Sequence, residues 1–287
     1  MNEWRDDLMK RSDTILHFRN SVVQHGHFNN RVYVMKLADE DIPEIIRFAD
    51  EITRKEGYAK IFVKVPESSA KMFTRAGYIT EAKIPSFYQD RETALFMAKY
   101  SDLKRKEAED VEEIDDVRKK VSDHTGKSER RTLPDGFSLT HAEEEDAEEI
   151  AGLFSKVFDT YPFPVSDPAY IRESMKGHIR YFTIKKGSRI VAISSSEIDA
   201  ENQAAEMTDF ATDPIFRGRG FARILLDMME GDMQKDGVLT AYTIARANSL
   251  PMNATFASAG YQFGGLLVNN TNIGGSIESM NIWYKRL

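Results

Sequence analysis

Cysteine is absent from this 287-residue sequence. Its absence excludes disulfides, thiolate metal ligands and a covalent cysteinyl intermediate. The histidines form no HExxH segment or comparable metal spacing, so we predict no metal site. The six are His17, His25, His27, His124, His141 and His178.

Long apolar runs are also absent. No stretch approaches the ~20 apolar residues that a membrane-spanning helix requires, and the opening MNEWRDDLMK has no apolar core like that of a secretory signal. Positive charge is not in excess, because 39 basic residues face 46 acidic ones and the net charge is -7. Such a field repels polyanions. We therefore expect a cytoplasmic protein without a membrane or nucleic-acid partner.

The chain is long enough for two domains of ordinary size. Between residues 102 and 131, 19 of 30 residues are charged. The few apolar residues there recur at helical spacing and predict an exposed helical connector; they are Val111, Ile114, Val117 and Val121. We thus expect an N-terminal α/β domain (1–101), the connector (102–134) and a C-terminal domain (135–287).

Strands alternate with helices before the connector, which indicates an α/β layer. The predicted strands are 31–37, 60–65 and 94–100, and the helices lie near 42–52 and 68–78. The segment KIFVKVPESSAKMFTRAGY resembles AYTIARANSLPMNATFASAGY later in the chain, down to a Gly-Tyr after each helix. A remote duplication and a common strand-helix-glycine pattern both account for this similarity.

After the connector, the pattern predicts four strands, a glycine motif with its helix, a strand, a helix and a last strand. Thr140, with Glu143 three residues on, predicts a capping box for an early helix. The segment YPFPVSDPAY is too rich in proline to continue that helix. The predicted strands are 137–140, 180–186, 189–199, 203–212, 239–245 and 279–287.

The motif FRGRGFA lies between a strand ending near Thr212 and an amphipathic helix. Gly218 and Gly220 permit positive φ, so the loop can direct several N–H groups at one anion beside a helix N-terminus. Arg217 and Arg219 can add charge-assisted hydrogen bonds to phosphate oxygens. A plain turn is the alternative, whereas an RNA-binding repeat would sit in low-complexity sequence. The context favours a pyrophosphate cradle.

These residues resemble the acetyl-CoA site of the GNAT N-acetyltransferase superfamily. The likeness rests on Arg217-x-x-Gly220-x-Ala222 after a strand of the form Glu206-x-x-x-Phe210-x-Thr212-x-Pro214, and it covers about residues 136–287. It implies an α+β mixed sheet with acetyl-CoA as cosubstrate. The backbone of Phe210, Ala211 and Thr212 would pair with pantetheine. The pyrophosphate would be held by Arg217, Gly218, Arg219, Gly220, Phe221 and Ala222.

Several segments look more narrowly like the β-lysine N-acetyltransferases, which make the compatible solute N-ε-acetyl-β-lysine. They are MTDFATDPIFRGRGFA, YPFPVSDPAY, MNATFASAGY and ESMNIWYKRL, with NNRVYVMKL and GYAKIFVKVP before the connector. The resemblance implies a small-molecule amine acceptor and a role in osmoadaptation. Another amine acceptor (a polyamine, lysine or a protein lysine), a non-catalytic acyl-CoA sensor and a homodimer stay open. The N-terminal domain would be smaller and either degenerate GNAT-like or a generic α/β partner, because nothing in residues 1–100 resembles the glycine motif.

Direct attack of an amine on a thioester requires removal of a proton from the ammonium. The resemblance places Glu206 where many GNAT enzymes carry a base, and a solvated strand end is the alternative. Asp209 would lie on the opposite face unless a bulge, usual in this family, turns both carboxylates toward the substrate. We then expect Asp209 to contact the substrate amine, with a structural hydrogen bond as the alternative.

The remaining site residues follow from the same resemblance. The acceptor would be covered by Tyr161, Phe163 and Tyr170, and Glu278 would receive its ammonium, with core packing and an exposed charge as the alternatives. Asn248 and Asn253 resemble cofactor contacts. Many relatives carry a tyrosine acid where this chain has Phe256, so no acid is assigned.

Overall fold

The computed structural model describes residues 13–122 and 131–287. The opening segment MNEWRDDLMK and His124 lie outside the described residues. A single sheet of 13 strands runs through both halves of the described chain. Within the described ranges, none of the helices is both long and apolar enough to cross a membrane.

The N-terminal half contributes six strands and two helices. The strands are β1 (Thr14–Phe18), β2 (Ser21–Gly26), β3 (Arg31–Lys36), β4 (Lys60–Pro66), β5 (Ile79–Tyr88) and β6 (Glu92–Tyr100); the helices are α1 (Glu44–Glu56) and α2 (Ala70–Arg75). The connector forms α3 (Val111–Ser122).

The C-terminal half contributes seven strands and four helices. The strands are β7 (Phe137–His141), β8 (Ile179–Lys186), β9 (Arg189–Asp199), β10 (Ala204–Thr212), β11 (Thr240–Arg246), β12 (Gln262–Ile273) and β13 (Ser276–Arg286). The helices are α4 (Ala147–Val157), α5 (Pro168–Lys176), α6 (Phe221–Lys235) and α7 (Leu250–Ser258).

The two halves repeat one topology. The parallel pair β3 and β4 is connected through α1, and the parallel pair β10 and β11 is connected through α6. In each half a second helix and an antiparallel hairpin follow, and the hairpin's second strand lies next to the parallel pair. The sequence similarity around the two Gly-Tyr pairs therefore coincides with a repeated strand-helix-hairpin unit.

Strands β5 and β12 join the halves, with Gly265 paired to Ala82 across the seam. Both strands, as well as β1 and β2, are absent from the sequence prediction. The pair Gly264-Gly265 interrupts the apolar pattern of β12, and Pro85 with several charges does the same in β5. The backbones approach so closely at the seam that a Cβ on Gly265 would lie 2.4 Å from the Glu81 carbonyl oxygen.

Two local expectations are wrong. The capping box does not use Thr140, because Glu143 and Asp146 form it one turn later. The connector helix is not simply exposed: Ile114, Val117 and Val121 are buried, and the last two join the core beneath α6 and α7. The many charged residues form the outer face of this helix. In the sequence they outnumber the apolar residues of its buried inner face.

Four apolar clusters support the sheet, and one of them lies between the halves. Phe62, Phe87 and Phe96 from the N-terminal half pack there against Tyr242 and Ile282 from the C-terminal half. The ring centroids of Phe87 and Tyr242 are 5.4 Å apart. One face of β11 and β13 is therefore covered by the N-terminal half.

Candidate active site

Strands β10 and β11 separate at the centre of the C-terminal half. They pair at only three positions, the last of which is Glu206 with Tyr242. Beyond it, β10 continues to Thr212 along β9, while β11 continues to Arg246 along β13. The β11-facing backbone edge of β10 is thus left open. The predicted pantetheine-pairing residues Phe210, Ala211 and Thr212 lie on this stretch.

Strand β10 contains a bulge at Asp209, three residues after Glu206. Asp209 has a φ of +55°, and the register with β9 shifts between Thr208 and Ala211. Burial and the negative charges of Asp209 and Glu206 together raise the pKa of the Tyr161 hydroxyl well above its ordinary value. The predicted bulge in β10 is therefore present, and its expected effect, that both carboxylates face the substrate, stays a prediction.

Glu206 is partly buried among charged side chains of both halves. Burial and the nearby negative charge of Glu197 raise the pKa of its carboxyl to about 8, against the opposing charge of Lys64. Tyr242, its neighbour on β11, forms a hydrogen bond with it. A carboxyl with a pKa near working pH is well matched to accept a proton from an ammonium.

Asp209 is held by two hydroxyl groups. The Ser195 hydroxyl donates to its Oδ2 at 2.5 Å, and the Tyr161 hydroxyl donates to its Oδ1. Burial raises the pKa of this carboxyl, while the hydrogen bonds from Ser195 and Tyr161 act in the opposite direction. The structure therefore gives Asp209 protein partners where a substrate amine was expected.

The glycine motif lies at the start of α6. Gly218 and Gly220 have φ of +79° and +76°, and Gly220 is the N-cap of α6. Arg217 and Arg219 are exposed on the loop, and the Arg219 guanidinium lies 5.8 Å from the Phe216 ring centroid. This geometry matches the predicted anion cradle, since left-handed glycines and a helix N-terminus both direct N–H groups outward.

The model of the acetyltransferase (GNAT) family matches residues 136–261. The chain is 39% identical over 273 residues to the β-lysine N(6)-acetyltransferase of Methanococcus maripaludis, covering 95% of this chain and 98% of that protein. The β-lysine N(6)-acetyltransferase of Methanosarcina mazei is 32% identical over 252 residues, covering 81% and 93%. The N-acetyltransferase YodP of Bacillus subtilis is 30% identical over 270 residues, covering 93% and 96%.

The chain belongs to the GNAT acetyltransferase family. In this acetyltransferase the residues at the end of the glycine motif differ in their exposure to a ligand. Phe221 is buried in the core, so only its backbone can face a ligand, whereas Ala222 is partly exposed. The side chain of Arg131, which was not predicted from the sequence, lies next to Gly220 of this loop. A Cβ on Gly220 would lie 2.5 Å from its Cδ.

The aromatic residues predicted to cover the acceptor come from the loop after α4 and from α5. Tyr161 bonds to Asp209 and lies 4.7 Å from Phe158, centroid to centroid. Phe163 and Tyr170 pack against the core beneath α4 and α5. Among these three, the structure brings Tyr161 directly to the carboxylates and leaves Phe163 in a packing role.

Asn253 does not face a cofactor, which corrects the prediction for its side chain. The residue is fully buried, and its Nδ2 donates to the Arg246 and Ser249 carbonyl oxygens. Its Oδ1 accepts from Asn281 and from the Trp283 indole, both at 2.8 Å. The Asn253 amide thus connects α7 to β11 and β13. The family resemblance pointed to this residue, but it did not show that the side chain is directed into the core.

Glu278 is also directed differently from the prediction. Its carboxylate makes a two-fold contact with the Arg246 guanidinium, with 2.6 Å between Nε and Oε2, and the residue is buried. Because the Glu278 carboxylate already has a cationic partner, it is not available to bind a substrate ammonium. Asn248 lies beside it, partly exposed, in a groove of about 550 Å³ that the connector also lines.

Phe256, which stands where many relatives carry a tyrosine acid, is fully buried in α7. Its ring meets those of Phe210 and Tyr261 edge-on, with centroids 5.6 Å and 5.0 Å away. Phe256 therefore connects the core beneath α7 to the open stretch of β10.

The N-terminal half brings residues to the site that the sequence analysis missed. The Lys64 ammonium of β4 lies 4.3 Å from the Phe87 ring centroid and 5.3 Å from that of Tyr242. Burial lowers the pKa of Lys64, while the charges of Asp199, Glu206 and Glu197 raise it. A lysine within the apolar run KIFVKV was the signal available in the sequence.

Proposed function

We propose that this acetyltransferase uses acetyl-CoA to acetylate the side-chain amine of β-lysine, forming N-ε-acetyl-β-lysine. The observation that carries the reaction is the open edge of β10, which has a carboxyl of raised pKa at one end and the glycine loop beyond the other. Support for β-lysine as acceptor comes from two near full-length relatives that carry that activity in their names.

The residues present fit acetyl-CoA. When bound, the cosubstrate supplies an acetyl thioester. Backbone groups of Phe210, Ala211 and Thr212 are free of β11 and suited to hold an extended amide chain in the manner of a neighbouring strand. The N–H groups at Gly218 and Gly220, with Arg217 and Arg219, would hold the pyrophosphate. We assign these residues to the donor site.

Glu206 is the proposed general base. An alkylammonium with a pKa of ~10 must lose a proton before its nitrogen can attack the thioester directly. The Glu206 carboxyl, with a pKa of about 8, holds that proton more readily than an ordinary glutamate would. Asp209 lies in the bulge that follows Glu206, and its hydrogen bonds with Tyr161 and Ser195 stabilise that bulge.

The N-terminal half completes the acceptor side. It repeats the strand order of the C-terminal half, lacks a glycine loop, and presents Lys64 toward Glu206. We propose that it is a degenerate acetyltransferase-like unit retained to shape the acceptor pocket. The product would then serve as a compatible solute in the cytoplasm.

The test is turnover with acetyl-CoA and a panel of β-lysine, α-lysine, ornithine and spermidine, with released CoA measured by a thiol reagent. The chain's own lack of cysteine keeps the background low. Selective turnover of β-lysine is expected. Preference for another amine would overturn the substrate and keep the reaction, and cofactor binding without turnover of any amine would indicate an acyl-CoA sensor.

A further inference from the structure

Arg31 is a buried cation without an ion-pair partner among the described residues. It is 4% exposed at the start of β3. Its Nη1 donates to the Asn270 carbonyl oxygen and, at 3.1 Å, to Thr271 Oγ1, while its Nε has no hydrogen-bond partner. Burial lowers the pKa of Arg31 to about 10, against the opposing effects of Tyr33 and of the Asp13 carboxylate, which acts on it without forming an ion pair, so the guanidinium stays charged at neutral pH. A buried charge of this kind is costly unless a counter-charge meets it.

Two unpaired acceptors accompany this cation. Gln24 and Asn270 are each 1% exposed, and Gln24 Oε1 and Asn270 Oδ1 lack hydrogen-bond partners. Gln24 lies opposite Tyr33 in the β2–β3 register, and its Nε2 donates to the Pro162 carbonyl oxygen at 3.4 Å. Asn270 holds Arg31 through its own backbone. One cationic donor and two neutral acceptors thus remain buried in one layer.

Aromatic rings connect this cluster to the carboxylates. The Arg31 guanidinium carbon lies 5.1 Å from the Tyr33 ring centroid and 5.8 Å from that of Phe62. Phe62 is 6.0 Å from Phe96, which is 6.4 Å from Tyr242, the neighbour of Glu206. Burial and the charges of Glu206 and Glu197 raise the pKa of Tyr33, while Arg31 opposes them, so both ends act on that hydroxyl.

We propose that Arg31 binds the carboxylate of a diamino acid acceptor, and that Gln24 and Asn270 receive the amine close to that carboxylate. The Tyr33 ring, 5.1 Å from the Arg31 guanidinium carbon and acted on by Glu206, lies beside the methylene chain, and the terminal amine reaches Glu206. This inference rests on the proposed amine acetylation and adds the residues that select its substrate class. An unpaired buried arginine also disfavours a polyamine, which has only cationic ends.

The first test uses the wild-type enzyme with β-lysine and with β-lysine amide, which keeps both amines and lacks the carboxylate charge. We expect kcat/KM to be about 100-fold lower for the amide, mainly through KM, because a desolvated charge contact is lost. Equal kcat/KM for the two compounds would overturn the role of Arg31 and leave the acetylation intact.

The second test is Arg31→Gln. This variant should lose about 100-fold in kcat/KM for β-lysine and change less than about threefold for the amide, so that the two substrates converge. Arg105→Gln is the control, because Arg105 is a partly buried arginine that likewise donates to backbone oxygens, those of Asn269 and Asn29, at 2.6 Å and 2.7 Å. It should keep the wild-type preference for the carboxylate.

Two further outcomes are separable. The enzyme could acetylate α-lysine or ornithine in preference to β-lysine. In that case kcat/KM is compared between the preferred amino acid and its amide. A carboxylate preference would then support Arg31 although the proposed substrate is wrong, and its absence would overturn the proposal. Preferred turnover of spermidine would overturn it directly. If Arg31→Gln does not fold, the wild-type comparison still decides.

Discussion

Glu206 of β10 and Tyr242 of β11 form the last register pair before the two strands separate. The carboxyl proposed as base therefore lies at the point where the sheet opens, with a tyrosine hydroxyl bonded to it from the opposite strand. Paired backbone on one side holds Glu206 in place, and open backbone on the other can receive a ligand. The separation of β10 from β11 thus places the proposed base next to the backbone that is proposed to bind the cofactor.

Replacement of the proposed base should remove the alkaline rise in activity. The Glu206 pKa of about 8 means that the carboxyl is mostly protonated at pH 6 and mostly ionised at pH 9. Wild-type kcat/KM should therefore rise through pH 8. In Glu206→Gln, kcat should fall by about 100-fold or more and this rise should disappear. A steady-state pH profile measures both, and a retained rise near pH 8 would assign the base elsewhere.

Glu197→Gln tests the cause of that pKa. Glu197, Asp209 and Lys64 are the charged groups that act on Glu206, and Glu197 raises its pKa. Removal of this negative charge should lower the Glu206 pKa, so the rise in kcat/KM should move to lower pH while maximal kcat changes little. A midpoint that stays in place or moves to higher pH would contradict the assigned electrostatics.

Asp209→Asn should lower stability, because Asp209 accepts hydrogen bonds from Tyr161 and Ser195. We expect the free energy of unfolding to fall by about 1 to 3 kcal/mol, as for the loss of a partner from a buried polar group. Urea titration measures it, and combination with Tyr161→Phe should give a non-additive loss. Unchanged stability with a raised KM for β-lysine would instead indicate direct contact with the substrate.

Gly220→Ala should weaken cofactor binding. Its φ of +76° disfavours any Cβ, and the added atom would meet the Arg131 side chain. We expect KM for acetyl-CoA to rise by roughly tenfold, consistent with a left-handed penalty of about 1 to 2 kcal/mol at the loop. Gly231→Ala, inside α6 with no atom within 4 Å of its added Cβ, is the control and should leave KM unchanged.

Gly265→Ala tests the seam between the halves. The added Cβ would lie 2.4 Å from the Glu81 carbonyl oxygen and 2.5 Å from the Ala82 Cα, and backbone cannot move aside as a flexible side chain can. We expect the free energy of unfolding to fall by about 1 to 3 kcal/mol. KM should rise more for the acceptor than for acetyl-CoA, because Arg31 and Lys64 come from the displaced half.

The control for the seam is Gly152→Ala in the exposed face of α4, where no atom lies within 4 Å of the added Cβ. It should preserve both Michaelis constants. An equal rise of both constants in Gly265→Ala would indicate general loosening of the fold rather than a specific contribution of the N-terminal half to the acceptor side.

Elements with a strong local signal could be predicted from the sequence. The glycine loop and the alternation of strands and helices depend on short-range periodicity and turn chemistry, whereas the open stretch of β10 was expected only from the family resemblance. Strands β5 and β12 could not be predicted in this way, because glycine, proline and charge interrupt their pattern where they pair with each other. Asn253 was assigned by likeness, and its burial between α7 and β13 gave it another partner.

The sequence by itself determined the absence of cysteine chemistry, the glycine motif proposed to hold phosphate and the family that the C-terminal half resembles, because these depend on residue types at short, regular spacings. Only the tertiary structure decided which way the carboxylates of β10 point and which distant cations reach them. The hydrogen bonds of Asp209 to Tyr161 and Ser195, the seam at Gly265 and the action of Lys64 on Glu206 arise from packing between segments far apart in the chain. Short-range sequence patterns contain no information about such long-range packing.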